Sequence, residues 1–242
     1  MLLLISSLLL MSCGADKYMK KGEKFLALGE YYDAADQFKQ AYTRTPAKER
    51  DTRGKRALKM AQCYQRINAT PKAIAAYRNA IRYNQASKED QLAYARQLLK
   101  NGDYRQAEKV FLMLKDSMPG NQLIANGLKS AQMAPEWKKQ GSRYIVKRMD
   151  VFNSRRHDYS PVLFGDDYDQ LYFTSTRNEA LGDELSGITG TKAGDIFLSE
   201  KDDRGKWSKP EAIGTGLNTD YDEGACCFTP DGKEMYLTQC VT

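Results

Sequence analysis

The chain has 242 residues, enough for one large or two ordinary domains. Its 41% hydrophobic and 28% charged content is that of a folded globular protein and excludes a low-complexity or fibrous one. The net charge of +6 hides an asymmetry: residues 15–150 carry 28 Lys/Arg against 14 Asp/Glu, whereas residues 151–242 carry 9 against 17. Segments of opposite sign point to two domains. The basic charges are spread at helical spacing among acids, as on a solvated helix surface, and not gathered into the patch that nucleic-acid binding requires.

The first stretch, MLLLISSLLLMSCG, is apolar but too short to span a bilayer as a permanent helix. Its length suits a signal-peptide core. Leu10, Ser12 and Cys13 resemble the lipobox of bacterial lipoproteins, with the one departure that no Lys or Arg precedes the apolar run. The resemblance implies a signal peptide over residues 1–13 and acylation of Cys13, which then anchors the protein to a membrane. A short buried helix, or a non-lipidated signal with a chance cysteine, is the alternative. No acidic cluster follows at Gly14-Ala15-Asp16, so the body is expected to face the periplasm. The remaining Cys63, Cys226, Cys227 and Cys240 match no zinc-ligand spacing. Either Cys226 or Cys227 pairs with Cys240 in an oxidising compartment, or all stay free thiols.

Residues 15–134 repeat. LGEYYDAADQFKQAYTRTP places Gly29, Tyr31, Ala34, Phe38, Ala41 and Pro46 at the offsets at which KNGDYRQAEKVFLMLKDSMP places Gly102, Tyr104, Ala107, Phe111, Leu114 and Pro119. Between them lie Ala73, Tyr77 and Ala80. Ala73 to Ala107 is 34 residues, and Ala34 to Ala73 is 39. Six positions recurring at a period of about 34 resemble the tetratricopeptide (TPR) repeat. Three repeats are expected, at about 15–48, 54–87 and 88–121, with a capping helix at 121–134 that Pro135 ends. The small residues let paired helices approach, the aromatics fill the gap one turn on, and Gly29 and Gly102 end the first helix of a pair. Such an array buries its apolar faces only by stacking into a superhelix. It offers a groove lined by the first helix of each pair, where Lys55, Gln62, Gln65, Arg66, Glu89, Arg96 and Lys100 are expected. A polar, mostly basic groove suits an acidic peptide or helix; the other reading is a merely solvated surface.

Beyond residues 135–150, read as a linker with a first strand, alternation replaces helical spacing. Strands are expected at Arg143–Arg148, Pro161–Phe164, Gln170–Ser175, Asp195–Glu200, Trp207–Ile213, Ala225–Phe228 and Glu234–Gln239, separated by Gly- and Asp-rich turns. Asp158 and Asp222, and Tyr172 and Tyr236, recur 64 residues apart. Asn178–Gly194 reads as a Gly-rich mobile loop between the second and third strands. HDYSPVLFGDDYDQLYFTSTR, GDIFLSEKDDRGKWSKPEAIG and LNTDYDEGACCFTPDGKEMYLT resemble the WD-like propeller repeats of TolB-type periplasmic proteins. That likeness implies a partial β-propeller over 151–242, one and a half four-stranded blades. Because a blade hides its faces only between other blades, the chain is expected to be part of a longer protein. The alternative is a small sheet packed on the helices.

The whole therefore reads as multidomain, α then β: a TPR-like superhelix followed by the first one and a half blades of a propeller. Lipobox, TPR repeats and propeller in this order resemble OmpA-family lipoproteins of Bacteroidetes-type bacteria. The resemblance implies a non-enzymatic, lipid-anchored scaffold at the periplasmic face of the outer membrane, with a secretion-system or envelope protein as partner through the groove. Peptidoglycan would be bound only by a domain absent from this chain. No catalytic residue, metal site, cofactor or nucleic-acid partner is expected. The chain lacks a G-x-S-x-G elbow, its one histidine is His157, and GITGTKAG does not fit a P-loop. The competing class is a periplasmic peptidase or hydrolase whose catalytic domain lies beyond this chain.

Overall fold

The computed structural model describes residues 2–240, with side chains described from residue 14 onward. Among the described residues, alanine-rich segments with an apolar stripe, punctuated by residues that tolerate positive φ, form seven helices. They are α1 (Leu2–Leu28), α2 (Tyr31–Arg44), α3 (Arg50–Arg66), α4 (Thr70–Arg82), α5 (Lys88–Asn101), α6 (Tyr104–Lys115) and α7 (Gln122–Gln140). Each packs on the next, and α7 also reaches α5. Six strands follow among the described residues, and the chain divides into two compact units: Met1–Arg143 with Gly187–Thr189, and Tyr144–Ser186 with Gly190–Thr242. The order is α then β. No helix among the described residues is long and apolar enough to cross a membrane.

In the helical unit Ala34, Ala73 and Ala107 are fully buried, as are Phe38, Tyr77 and Phe111 one turn further on. Burying each ring contributes about 2–3 kcal/mol. Two glycines make room for them. A Cβ on Gly22 of α1 would sit 2.7 Å from the Phe38 ring, and one on Gly127 of α7 would collide with the ring of Phe111. The hairpin turns need positive φ, supplied by Gly29 (+80°) and Gly102 (+84°), and by Asn68 (+56°) in the middle hairpin. Side chains close two helix starts: Ser87 and Asp90 form a reciprocal capping box on α5, and Asn121 Oδ1 accepts from the N–H groups of Leu123 and Ile124 on α7. Buried Arg56 of α3 donates to Ala41 O at 3.2 Å, to Thr45 Oγ1 and to Asp16 Oδ1, tying together the first three helices.

Pro135 does not end α7, which runs on to Gln140 and stops at Gly141 (φ +68°). Proline's fixed φ is itself helical, so its cost here is the bond its missing N–H would have made, and the exposed turns on either side continue.

The second unit holds β1 (Asp158–Phe164), β2 (Gln170–Ser175), β3 (Asp195–Glu200) and β4 (Glu211–Ala212) in one antiparallel sheet of that order, then a β5 (Glu223–Phe228) and β6 (Met235–Gln239) hairpin. The hairpin packs on the sheet through Phe228, whose ring stacks on Phe164 at 4.1 Å and lies 4.9 Å from Tyr172. Two expectations need correction, and the cysteines follow the second of their two readings. Residues 143–148 form no strand, and Tyr144, Ile145 and Val146 are exposed to 77–92%. The strand expected at Trp207–Ile213 shrinks to Glu211–Ala212, because Pro210 has no N–H for the ladder; upstream, Trp207 keeps only a bridge to Lys201. The four cysteines with described side chains are all free thiols, with no bridge from Cys226 or Cys227 to Cys240. Cys226 and Cys227 face Leu237 and Tyr236 across the hairpin, while Cys240 lies past its last paired residue, Gln239.

The repeat is present with a register different from the linear one. Asp158 pairs with Ser175, and its counterpart opposite Gln239 is Glu223, not Asp222. The β5–β6 turn is one residue shorter than the β1–β2 turn: seven residues separate the pair Leu163–Leu171 and six the equivalent pair Phe228–Met235.

Candidate functional site

Of the seven residues expected on the first helices, three line a single cleft. Gln62, Gln65 and Arg66 of α3 line one cleft of about 440 Å³ with Leu26 of α1, Tyr31 of α2 and Tyr77 of α4. Helical spacing explains the three: positions 62, 65 and 66 fall on one face of α3. Lys55, Glu89, Arg96 and Lys100 lie outside this lining. Lys55, Glu89 and Arg96 are exposed and form no ion pair among the described residues, and Lys100 Nζ donates to Asn68 Oδ1 at 2.6 Å.

Tyr77 does two jobs. Its ring fills the gap behind Ala73, and its hydroxyl donates to Gln65 Oε1 at 2.6 Å. Burial, with Asp90 and Cys63 nearby, pushes this phenol up, so it stays a donor at any physiological pH. Gln65 Oε1 accepts this bond, and the same amide carries two N–H donors. Gln62 Nε2 donates to Asp90 Oδ1 at 3.1 Å, linking the cleft to the cap of α5. The Arg66 guanidinium lies 5.4 Å from the Tyr31 ring centroid and makes no ion pair among the described residues. A cation resting on an aromatic face, unpaired and exposed, is pre-positioned for a carboxylate. The arrangement can offer a fork of donors, an amide and the apolar side chain of Leu26.

Leu26, Tyr31, Tyr77 and Asp90 were not assigned to the groove from sequence. Tyr31 and Tyr77 were visible as repeat positions, but their apolar role masked their hydroxyl and ring-face chemistry.

In the strand unit the conspicuous polar cluster is structural. Asp158 accepts from Ser154 N at 2.6 Å, Ser154 Oγ at 2.9 Å, Ser175 Oγ at 2.6 Å and Arg177 Nη2 at 2.8 Å. Burial would raise this carboxyl, but the bonds from Ser175, Arg177 and Ser154 outweigh it and hold it below its ordinary value. Glu223 repeats the device, accepting from Thr219 N at 2.9 Å, Thr219 Oγ1 at 2.6 Å and Gln239 Nε2 at 3.1 Å. His157 engages Thr176 through its backbone, donating its N–H to Thr176 Oγ1 and accepting at its carbonyl from Thr176 N. No group of three or more His, Cys, Asp or Glu side chains able to hold a metal ion occurs among the described residues. The lipidation expected at Cys13 concerns a side chain outside the described residues.

No protein-family model and no curated protein matches the chain. Among solved structures, similar ones include the first TPR of Spaghetti (RPAP3) bound to an HSP90 peptide, at 18% identity over 52% of this chain and 95% of that one, TM-score 0.42. The C-terminal TPR-containing domain of a Plasmodium falciparum FK506-binding protein matches at 15% identity over 54% and 94%, TM-score 0.45. The Sgt2 TPR domain from Aspergillus fumigatus matches at 18% identity over 58% and 91%, TM-score 0.41.

Proposed function

We propose that the chain is a non-enzymatic scaffold whose helical array captures an acidic segment of a partner protein. The observation that carries this is the cleft in which Arg66, resting unpaired on Tyr31, stands beside Gln62 and the Gln65 amide over an apolar wall. Helical hairpins with small–aromatic interlocks are rigid presenters of side chains, and a rigid groove loses little entropy on binding. The finer reading is a lipoprotein held at the periplasmic face of the outer membrane by acylated Cys13, its strand unit the start of a WD-like propeller that offers a second surface. In this reading the chain resembles the N-terminal portion of PorE, an OmpA-family component associated with the type IX secretion system. Peptidoglycan contact would belong to a domain outside this chain, and the partner would be an envelope or secretion-system protein.

The test is a pull-down from solubilised envelope with the wild-type chain and with Arg66→Glu/Arg96→Glu. The proposal expects a defined partner recovered by the wild type and lost on charge reversal. Recovery unchanged by the reversal would refute the groove as the docking site. A second reading, the propeller portion of a periplasmic hydrolase, predicts turnover only in a chain that carries further sequence.

A further inference from the structure

The exposed face of α1 carries a charge pattern that the groove does not use. Lys17, Lys20, Lys21 and Lys24 fall at i, i+3, i+4 and i+7, so they share one stripe of the helix, and all four are exposed. None forms an ion pair among the described residues. Of the two acids nearby in sequence, Asp16 is taken by Arg56, and Glu23 lies off the stripe by its helical position. The stripe continues to Leu28, also on its face by spacing and 72% exposed. Lys21 sits 5.4 Å from the Phe25 ring centroid, a contact that leaves its ammonium in solvent.

What surrounds the stripe along the helix decides its partner. At about 1.5 Å per residue the lysines stand roughly 6–17 Å along the axis of α1 from Cys13, the residue that the membrane-anchored reading places at the bilayer. Charges at that distance from a residue held at a membrane lie within one to two Debye lengths of its surface. Unpaired ammonium groups there are complementary to phosphodiesters.

We propose that the Lys17–Lys24 stripe docks the helical unit on anionic phospholipid headgroups. It rests on the membrane-anchored reading above for the kind of surface involved, while the contribution of the charges is measured without acylation of Cys13. One hydrophobic anchor and a polybasic patch are together the two signals that stable membrane attachment needs.

The test uses the full chain with Cys13→Ser, so that acylation plays no part, and the same chain with Lys17, Lys20, Lys21 and Lys24 all changed to Gln. Vesicles of phosphatidylcholine alone and vesicles about one-third phosphatidylglycerol are compared by co-sedimentation. Each lysine near an anionic surface is worth roughly fivefold in partitioning. The parent is therefore expected to prefer the anionic vesicles by at least about 20-fold, to lose that preference at high salt, and to lose it in the four-Gln variant. A four-Arg variant should keep it, which separates charge from any effect on folding. Equal binding of the parent and the four-Gln variant to anionic vesicles, or no preference by the parent, overturns the proposal, including where the stripe retains an acidic protein instead. Palmitate labelling of wild-type Cys13 reports on the anchor independently.

Discussion

Replacing Arg177 by Ala should unfold the strand unit at markedly lower denaturant. The guanidinium is 7% exposed and donates through Nη2 to Asp158 at 2.8 Å and to Phe152 O at 2.6 Å, and through Nε to Ser175 Oγ at 2.8 Å. It also stacks over Phe173 and Phe197 at 5.0 and 4.8 Å. Removing one partner of a buried ion pair costs about 3–5 kcal/mol, because the other charge is left behind. Asp158 would keep the bonds from Ser154 and Ser175, which places the expected loss at about 3 kcal/mol. Urea titration of a Trp137→Phe background, followed by the fluorescence of Trp207, reads this unit alone. Arg177→Lys should recover part of the loss, since it keeps the charge but not the fork. Acid supplies a further check. Asp158 is held below its ordinary 3.8, so its contribution is complete above that value and is lost as pH falls through the lowered folded value. In Arg177→Ala the carboxyl is instead buried without its cation, so the penalty should shrink on acidification. A loss under about 1 kcal/mol at neutral pH would refute the view that this pair holds the sheet entrance.

Other expectations follow from the same physics. Gly127→Ala drives a methyl into the Phe111 ring and should cost about 1–3 kcal/mol, lowering the melting temperature seen by helical circular dichroism, whereas Gly14→Ala, with open space around it, should cost the helical unit nothing. Asp195 is fully buried with Oδ1 unpartnered, and burial, with Glu223 and Asp220 adding, raises its carboxyl. Its contribution is therefore present at low pH and lost as pH rises through the raised folded value, so Asp195→Asn should be neutral or stabilising at pH 7 and flatten that part of the stability profile. In a Cys13→Ser background, native-state maleimide labelling should modify exposed Cys227 and Cys240 but spare buried Cys226 and Cys63, whose thiol burial pushes up to about 11; four modified thiols before denaturation would contradict the packing.

The helical array was legible because its physics is local and repeated. Close helix approach demands a small residue, the gap beside it demands a ring, and the turn demands positive φ, so Ala34, Phe38 and Gly29 recur together. Gly22 and Gly127 escaped notice because each is a lone glycine inside a helix, and only the partner ring reveals why it is there. Pro135 reads as a stop in the sequence because proline usually breaks a helix, although its φ is compatible with one. The strands were legible where alternation coincides with a partner, as in Gln170–Ser175, and misread where it does not: Arg143–Arg148 alternates equally well, but a strand exists only by pairing. The one-residue offset that makes Glu223 the counterpart of Asp158 was hidden because a shorter turn shifts one strand and not the other. Of the groove, Gln62, Gln65 and Arg66 could be placed by counting along α3. Tyr31 and Leu26 could not, since they come from other helices and reach the cleft only through packing.

The groove itself is best tested by site-specific photo-crosslinking in intact cells, with a photoreactive residue at Gln62 inside the cleft and, as control, at exposed Lys109 on α6. The account predicts one adduct of defined mass from Gln62, none from Lys109, and loss of the Gln62 adduct when Arg66→Glu is added. An absent Gln62 adduct, or one that survives the charge reversal, would contradict it.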